Sequence, residues 1–300
     1  MSFLKRLWQR YGINPFDALL KRVEKKGQFR FLICWNRGLG DIPLGLYALV
    51  HRIREFIPAA EITFLTREDL ADGFRLLEGV SVLVDPRWKR GVAFDIDPSL
   101  VPLAYFDVVL KHPDPTGWLM WQLGKLTPRL RWTEEWDWLS ERFELDSTKT
   151  YIGVHVQTQT HYAYEKNWPL SHWKELFSAL PDEYRVLLFG FASSTSVGGD
   201  LVVDLRGKTS LLEMLSLVKN HCQYLVVPDS GVLSMVYYLD VSHPLEVISL
   251  WSDPEQGVLK QAVASPNPLL VHTPLIARNR DLSTISVDTV LDTLLARRTS

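Results

Sequence analysis

Cysteine is nearly absent from this 300-residue chain: Cys34 and Cys222 cannot build a disulfide framework. Each lies in an apolar, strand-like run, so both are expected to be buried and reduced. No apolar stretch reaches the roughly 20 residues of a spanning helix, and Lys5, Arg6 and Arg10 interrupt the start where a signal-peptide core would lie. Charge of one sign is missing too. The 33 basic and 35 acidic residues leave a net charge of −2, which gives no global reason to bind nucleic acid. The eight histidines show no H-E-x-x-H or other paired metal-ligand spacing. A G-x-S-x-G nucleophile elbow is absent as well. No solenoid repeat or low-complexity segment interrupts the chain.

What is present suits a globular protein: 46% of residues are apolar and 23% charged. Three hundred residues is about twice a usual domain, so two domains are expected. Apolar runs read as strands at Phe29–Trp35, Glu61–Leu65, Ser81–Val84 and Phe106–Leu110, with helical periods over Leu44–Ile57 and Asp69–Leu77. The pattern restarts at Tyr151–His155 and continues through strands at Arg185–Phe189, Leu201–Asp204, Tyr224–Val227 and Leu245–Leu250. Helices are expected at Leu170–Leu180, Ser210–Asn220, Gly231–Leu239 and Thr284–Arg298. Such alternation implies an α/β fold of two Rossmann-like domains with mainly parallel sheets. The boundary is expected near residue 148, giving domains 1–148 and 149–300. Phe3, Leu4, Leu7 and Trp8 among basic residues form an amphipathic start, which suits a cap helix or an anionic membrane surface. Several of the 11 tryptophans cluster between Trp118 and Trp138, as core or as a partner-facing patch.

Two places carry chemistry. Arg37-Gly-Leu-Gly-Asp41 stands after a strand and before a helix, where a nucleotide-binding glycine loop would sit. Gly38 and Gly40 allow a tight turn and close approach. Asp41 would repel a pyrophosphate, and Gly45 is too far along for G-x-G-x-x-G, so phosphate is not expected there. Asp41 can cap the helix, or serve as general base toward a hydroxyl at the strand ends, and the two roles are compatible.

The second place combines Gln157–Tyr164, a hydroxyl-rich loop that includes Thr158, with Lys166 just beyond it. Val227-Pro-Asp-Ser-Gly231 then places Asp229, Ser230 and Gly231 at a strand-to-helix turn. A lysine and a helix start at the strand ends of one domain suit a diphosphate. Lys166 as a solvated lysine, and Asp229 with Ser230 as caps alone, are the plainer alternatives. Asp95-Ile-Asp97 forms the D-x-D that some sugar transferases use for Mg²⁺, but Pro98 follows it and turn duty fits better.

The ordered segments Gly38-Leu-Gly-Asp-Ile42, Tyr151-Ile-Gly-Val-His155, Lys166-Asn-Trp-Pro-Leu170, Asp204–Leu211, Val226-Val-Pro-Asp-Ser-Gly231 and Ile285–Val290 resemble the heptosyltransferase family of glycosyltransferases. The resemblance runs from about Phe29 to Leu295. It implies a GT-B fold with a central cleft, the first domain on the acceptor side and the second binding the nucleotide sugar. It further implies an inverting, metal-independent transfer of a heptose-like sugar from an ADP-sugar to a lipid-linked saccharide of lipopolysaccharide-core type. No separate cofactor is implied, since the ADP-sugar is a co-substrate. By the same resemblance Asp41 matches the catalytic base, Lys166 the donor-phosphate lysine, and Ser230 with Gly231 the helix-start phosphate contacts. The implied location is cytoplasmic, peripheral at the inner membrane. The sequence departs from the family where D-[ST]-G-x-x-H would place histidine: Ser234 stands there. No acid is evident in Phe191–Ser194, where the family often holds the donor's nucleoside. These departures leave a binding or scaffold protein that has lost turnover as the alternative. A nicotinamide-linked oxidoreductase is the third, disfavoured by Asp41.

Overall fold

Each β-branched or aromatic run expected as a strand forms one, because burial on both faces rewards uninterrupted apolar sequence. The structure is a computed structural model and describes residues 14–158, 164–193 and 195–296. The amphipathic start at residues 3–10 lies outside the described residues, as do much of the hydroxyl-rich loop and the last positions of the expected C-terminal helix. The chain divides into two units, residues 1–131 with 261–264, and residues 132–260 with 265–300.

In the first unit, helix α1 (Pro15–Lys25) precedes strand β1 (Arg30–Trp35). Asn14 caps α1 by accepting the Phe16 N–H at 2.9 Å, and Pro15 opens it. Phe16, Leu20 and Val23 bury one face of α1, and Trp118 stacks on Phe16 at 5.0 Å. No helix is expected here from the sequence, although Phe16, Leu20 and Val23 carry the i, i+4, i+7 spacing of one. After β1 come a π-helical turn (Ile42–Leu46), α2 (Tyr47–Phe56), β2 (Glu61–Thr66), α3 (Ala71–Arg75), β3 (Val80–Val84) and β4 (Val108–Leu110). The four strands run parallel in the order β3-β2-β1-β4. Leu32, Cys34, Leu65, Trp88, Ile96 and Val101 form a core cluster on this sheet.

The second unit repeats the plan with β5 (Thr150–His155), α4 (Leu170–Ala179), β6 (Tyr184–Phe189), β7 (Val202–Asp204), α5 (Leu211–His221) and β8 (Cys222–Pro228). It continues through α6 (Gly231–Tyr237), β9 (Leu245–Trp251), β10 (Leu270–Ile276) and α7 (Val287–Leu295). Its parallel sheet runs β10-β9-β8-β5-β6-β7. Residues 132–148 belong to this unit, where the 3₁₀ helix Glu134–Phe143 lies on α5: Asn220 and Ser216 both donate to the Asp137 carbonyl, at 2.9 and 3.0 Å. Trp168 and Trp173 fill the core edge to face at 4.9 Å, a geometry worth about 1 kcal/mol beyond the area buried. Both cysteines are free and buried, and burial pushes the Cys34 thiol up to about 12.

Candidate functional site

Parallel strands bring their carboxyl ends to one edge of a sheet, and the loops that leave that edge carry the candidate residues. In the first unit this is the turn after β1. The π-helical opening puts Asp41 already in the helical region (φ −68°, ψ −19°), and its side chain caps no N–H of that helix. The carboxylate turns back instead and accepts the Gly38 N–H at 3.1 Å, so capping of the following helix is not its role. A Cβ on Gly38 would lie 2.8 Å from Asp41 Oδ2, which is why a glycine stands there. The Gly40 carbonyl accepts the Leu44 N–H at 3.1 Å and closes the turn. The Asp41 carboxylate is half-buried at the strand end, beside the Arg90 guanidinium that also approaches Gly38.

The Asp95-Ile-Asp97 segment does turn duty. Asp97 accepts both the N–H and the hydroxyl of Ser99 and pairs with Arg87 at 2.9 Å. Among the described residues, no group of three His, Cys, Asp or Glu side chains is placed to hold a metal ion.

In the second unit the strand-end loops converge. Trp168 anchors its segment by donating its indole N–H to the Ile285 carbonyl at 2.9 Å in the core. Asn167 closes the base of the preceding loop, accepting the Thr158 N–H at 2.7 Å and donating to the Thr158 carbonyl at 3.2 Å. Lys166 is thereby turned inward. Its ammonium lies 2.6 Å from Asp229 Oδ2, with the two side chains only 12% and 8% exposed. The Tyr164 hydroxyl donates to the same oxygen at 3.2 Å, and its ring lies 5.0 Å beneath the ammonium. This is a buried ion pair, not a solvated lysine.

Asp229 leaves β8 in register with β9, its N–H donating to the Leu250 carbonyl at 3.1 Å. Ser230 caps α6, accepting the Leu233 N–H at 3.2 Å, and Gly231 begins the helix. Ser234 is buried and spends its hydroxyl on the Ser230 carbonyl at 3.1 Å, so it presents nothing to a ligand. The structure therefore brings Lys166, Asp229, Ser230 and Gly231 together, with Thr158 at the base of the same loop.

The loop after β9 completes this edge and is missed by sequence reasoning. The Ser252 hydroxyl donates to the Glu165 carbonyl, and a Cβ on Gly257 would lie 2.5 Å from Asp229 Oδ1. Asp253 is buried and faces Arg280 at 3.4 Å. The Ser-Asp-Pro turn after an apolar strand was the available signal. His155, at the end of β5, is buried without a partner on Nδ1, and burial pushes its imidazole down to about 4.

Comparison with known proteins bears on the fold. Residues 121–235 match the model of glycosyltransferase family 9 (heptosyltransferase). The fold is that of E. coli ADP-heptose lipopolysaccharide heptosyltransferase II: TM-score 0.63 and 19% identity over 89% of this chain and 98% of that one. E. coli heptosyltransferase WaaC, solved with ADP, gives a TM-score of 0.52 and 16% identity over 90% and 98%. A family 9 glycosyl transferase from Veillonella parvula gives 0.51 and 16% over 89% and 97%. No curated protein sequence matches the chain. The fold class is thus the GT-B arrangement of α/β units with parallel sheets.

Proposed function

We propose that this chain, a heptosyltransferase-like glycosyltransferase by its family 9 segment, transfers a heptose-like sugar from an ADP-sugar to a saccharide acceptor of lipopolysaccharide-core type. The single observation that carries the donor assignment is the Lys166–Asp229 pair, 2.6 Å apart at the strand ends beside the Ser230–Gly231 turn. WaaC, of the same fold, is seen with ADP. Residues 1–148 would serve the acceptor and residues 149–300 the donor. Lys166 and the amides around Ser230 and Gly231 would hold the diphosphate, with Thr158 in the adjoining loop.

The chemistry balances without a metal. Asp41 takes the proton from an acceptor hydroxyl as its oxygen attacks the anomeric carbon. The bond from that carbon to the diphosphate breaks, and ADP departs with the electron pair, its charge met by Lys166. Attack opposite the leaving group inverts the anomeric centre. A lipid-linked acceptor would place the protein peripherally at the cytoplasmic face of the inner membrane; among the described residues no helix is long and apolar enough to cross one.

A second reading, a scaffold that binds without turnover, is favoured by Ser234, which is buried and bonded to its own helix. Calorimetric titration with ADP and other nucleoside diphosphates, with and without EDTA, separates the two when paired with a transfer assay. Metal-independent ADP binding that weakens about tenfold or more in Lys166→Ala (about 1.4 kcal/mol) supports the donor site. Binding with no transfer to any core saccharide would leave the scaffold; no nucleotide binding at all would remove the transferase reading.

A further inference from the structure

The donor edge of the second unit holds another carboxylate–cation pair beside the first. Strands β8 and β9 are adjacent and parallel, with Pro228 opposite Leu250, so Asp229 and Asp253 leave neighbouring strand ends. The loop bearing Asp253 packs beside the first pair. Ser252 bonds to the residue before Lys166, and Gly257 packs against the Asp229 carboxylate.

The two pairs are unlike. Lys166 and Asp229 are 2.6 Å apart and enclosed, whereas Arg280 stands 3.4 Å from Asp253 with 65% of its side chain exposed. Asp253 has other partners: the Glu255 N–H at 3.0 Å and the Gln256 amide at 3.4 Å. An exposed pair at that distance contributes little to stability, and among the described residues the guanidinium has no other side-chain partner, leaving most of its five donors unspent. Yet the backbone goes out of its way to place it. Asn279 and Arg280 both take left-handed conformations, φ 53° and 61°, a region asparagine visits readily but which costs a residue such as arginine about 1–2 kcal/mol. This turn is pinned by the Ala277 N–H on the Trp251 carbonyl at 2.8 Å and the Arg278 N–H on Thr284 Oγ1 at 2.8 Å. It returns Arg280 to the strand-end edge as the chain leaves β10.

We infer that Arg280 is the second cation of the donor-diphosphate site, leaving Asp253 to grip the phosphate that Lys166 does not hold. This rests on the donor reading above and goes beyond it. Lys166 is already neutralised by Asp229, so a diphosphate needs another positive group. A guanidinium fork matches a phosphate in two parallel hydrogen bonds, which an ammonium cannot do.

The test is calorimetry of the full chain with ADP, AMP and adenosine, comparing the unaltered protein with Arg280→Gln, Arg280→Lys and Lys166→Ala, each checked by thermal melting. Arg280→Gln should weaken ADP about tenfold or more, Arg280→Lys less, and neither should alter adenosine binding. Thermal midpoints of both Arg280 variants should stay within about 2 °C of the parent, as an exposed pair implies. If Lys166→Ala loses ADP affinity while both Arg280 variants keep it, Arg280 is merely the partner of Asp253 and the inference falls alone. If the unaltered chain binds no nucleoside diphosphate, the donor reading falls and takes this inference with it.

Discussion

The Lys166 ammonium lies 2.6 Å from Asp229 Oδ2, although 63 residues separate the two in sequence and both side chains are almost enclosed. Burial makes each charge depend on the other. Removing one partner strands the remaining charge in a poorly solvated site, at a cost of about 3–5 kcal/mol, while replacing both with neutral groups of similar shape costs far less. Lys166→Ala should therefore lower stability by about 2–4 kcal/mol, with Tyr164 moderating the loss through its hydrogen bond to the carboxylate. The double change Lys166→Met with Asp229→Asn should recover most of that stability without recovering ADP affinity. Denaturant unfolding alongside calorimetry reads both quantities. A double variant as unstable as Lys166→Ala would refute the buried-pair account.

Asp41 calls for the opposite result. Its carboxylate accepts the Gly38 N–H, lies beside the Arg90 guanidinium and caps no N–H of the following helix. Asp41→Asn keeps an acceptor oxygen and the volume, so stability should fall by less than about 1 kcal/mol. The general-base role predicts a drop in transfer rate of about 10²–10⁴-fold with ADP binding unchanged. A transfer rate near the parent's would exclude Asp41 as the base.

Much of the fold was legible because buried parallel strands write themselves as apolar runs, and nine of them stand within a residue or two of expectation. Strand β10 escaped notice for physical reasons: it is an edge strand, with Val271 and Ile276 exposed and Pro274 inside it, so neither burial nor composition marks it. Leu44–Ile57 reads as one helix, yet a π-helical turn spans Ile42–Leu46, because apolar period alone does not fix the hydrogen-bond step. Local turn chemistry singled out Asp41, Lys166, Asp229 and Ser230, each in a loop or turn that follows a strand. It did not reveal which charges meet. The pairing of Lys166 with Asp229, and the approach of Gly257 and Asp253, follow from β5, β8 and β9 lying side by side, a tertiary fact absent from any local window.

Gly257 tests that tertiary packing. Its φ of +49° costs an alanine about 1–2 kcal/mol, and the added Cβ would lie 2.5 Å from Asp229 Oδ1 and 2.9 Å from the Trp251 ring. Gly257→Ala should thus lose stability beyond the backbone cost and weaken ADP binding by moving Asp229 off Lys166. Gly27→Ala is the control, since Gly27 has φ +64° with nothing within 4 Å of its Cβ position. It should show the backbone cost alone. Equal losses in the two variants, with ADP affinity intact in both, would mean that the Gly257 contact does not govern Asp229.

The pH dependence of stability has a defined sign. Burial pushes both His155 and His272 down to about 4, against about 6.5 in an unfolded chain. For His272 the bonding agrees. Ser249 Oγ accepts the Trp251 indole N–H and lies 2.6 Å from His272 Nε2, so in the neutral ring an unprotonated Nε2 can take the hydroxyl's hydrogen. The unfolded state then binds protons first as pH falls, so stability is full above about 6.5 and declines toward 4, by at most about 1.4 kcal/mol per pH unit for each group. Carboxylates contribute elsewhere: Arg30 holds Asp107 well below the usual range, and that stability is lost only at more acid pH. Urea midpoints at pH 5 and pH 7 isolate the histidine window. His155→Gln should shrink the difference between the two midpoints, whatever it does to either one. A difference as large as the parent's would show that His155 takes up its proton as readily in the folded chain as in the unfolded one.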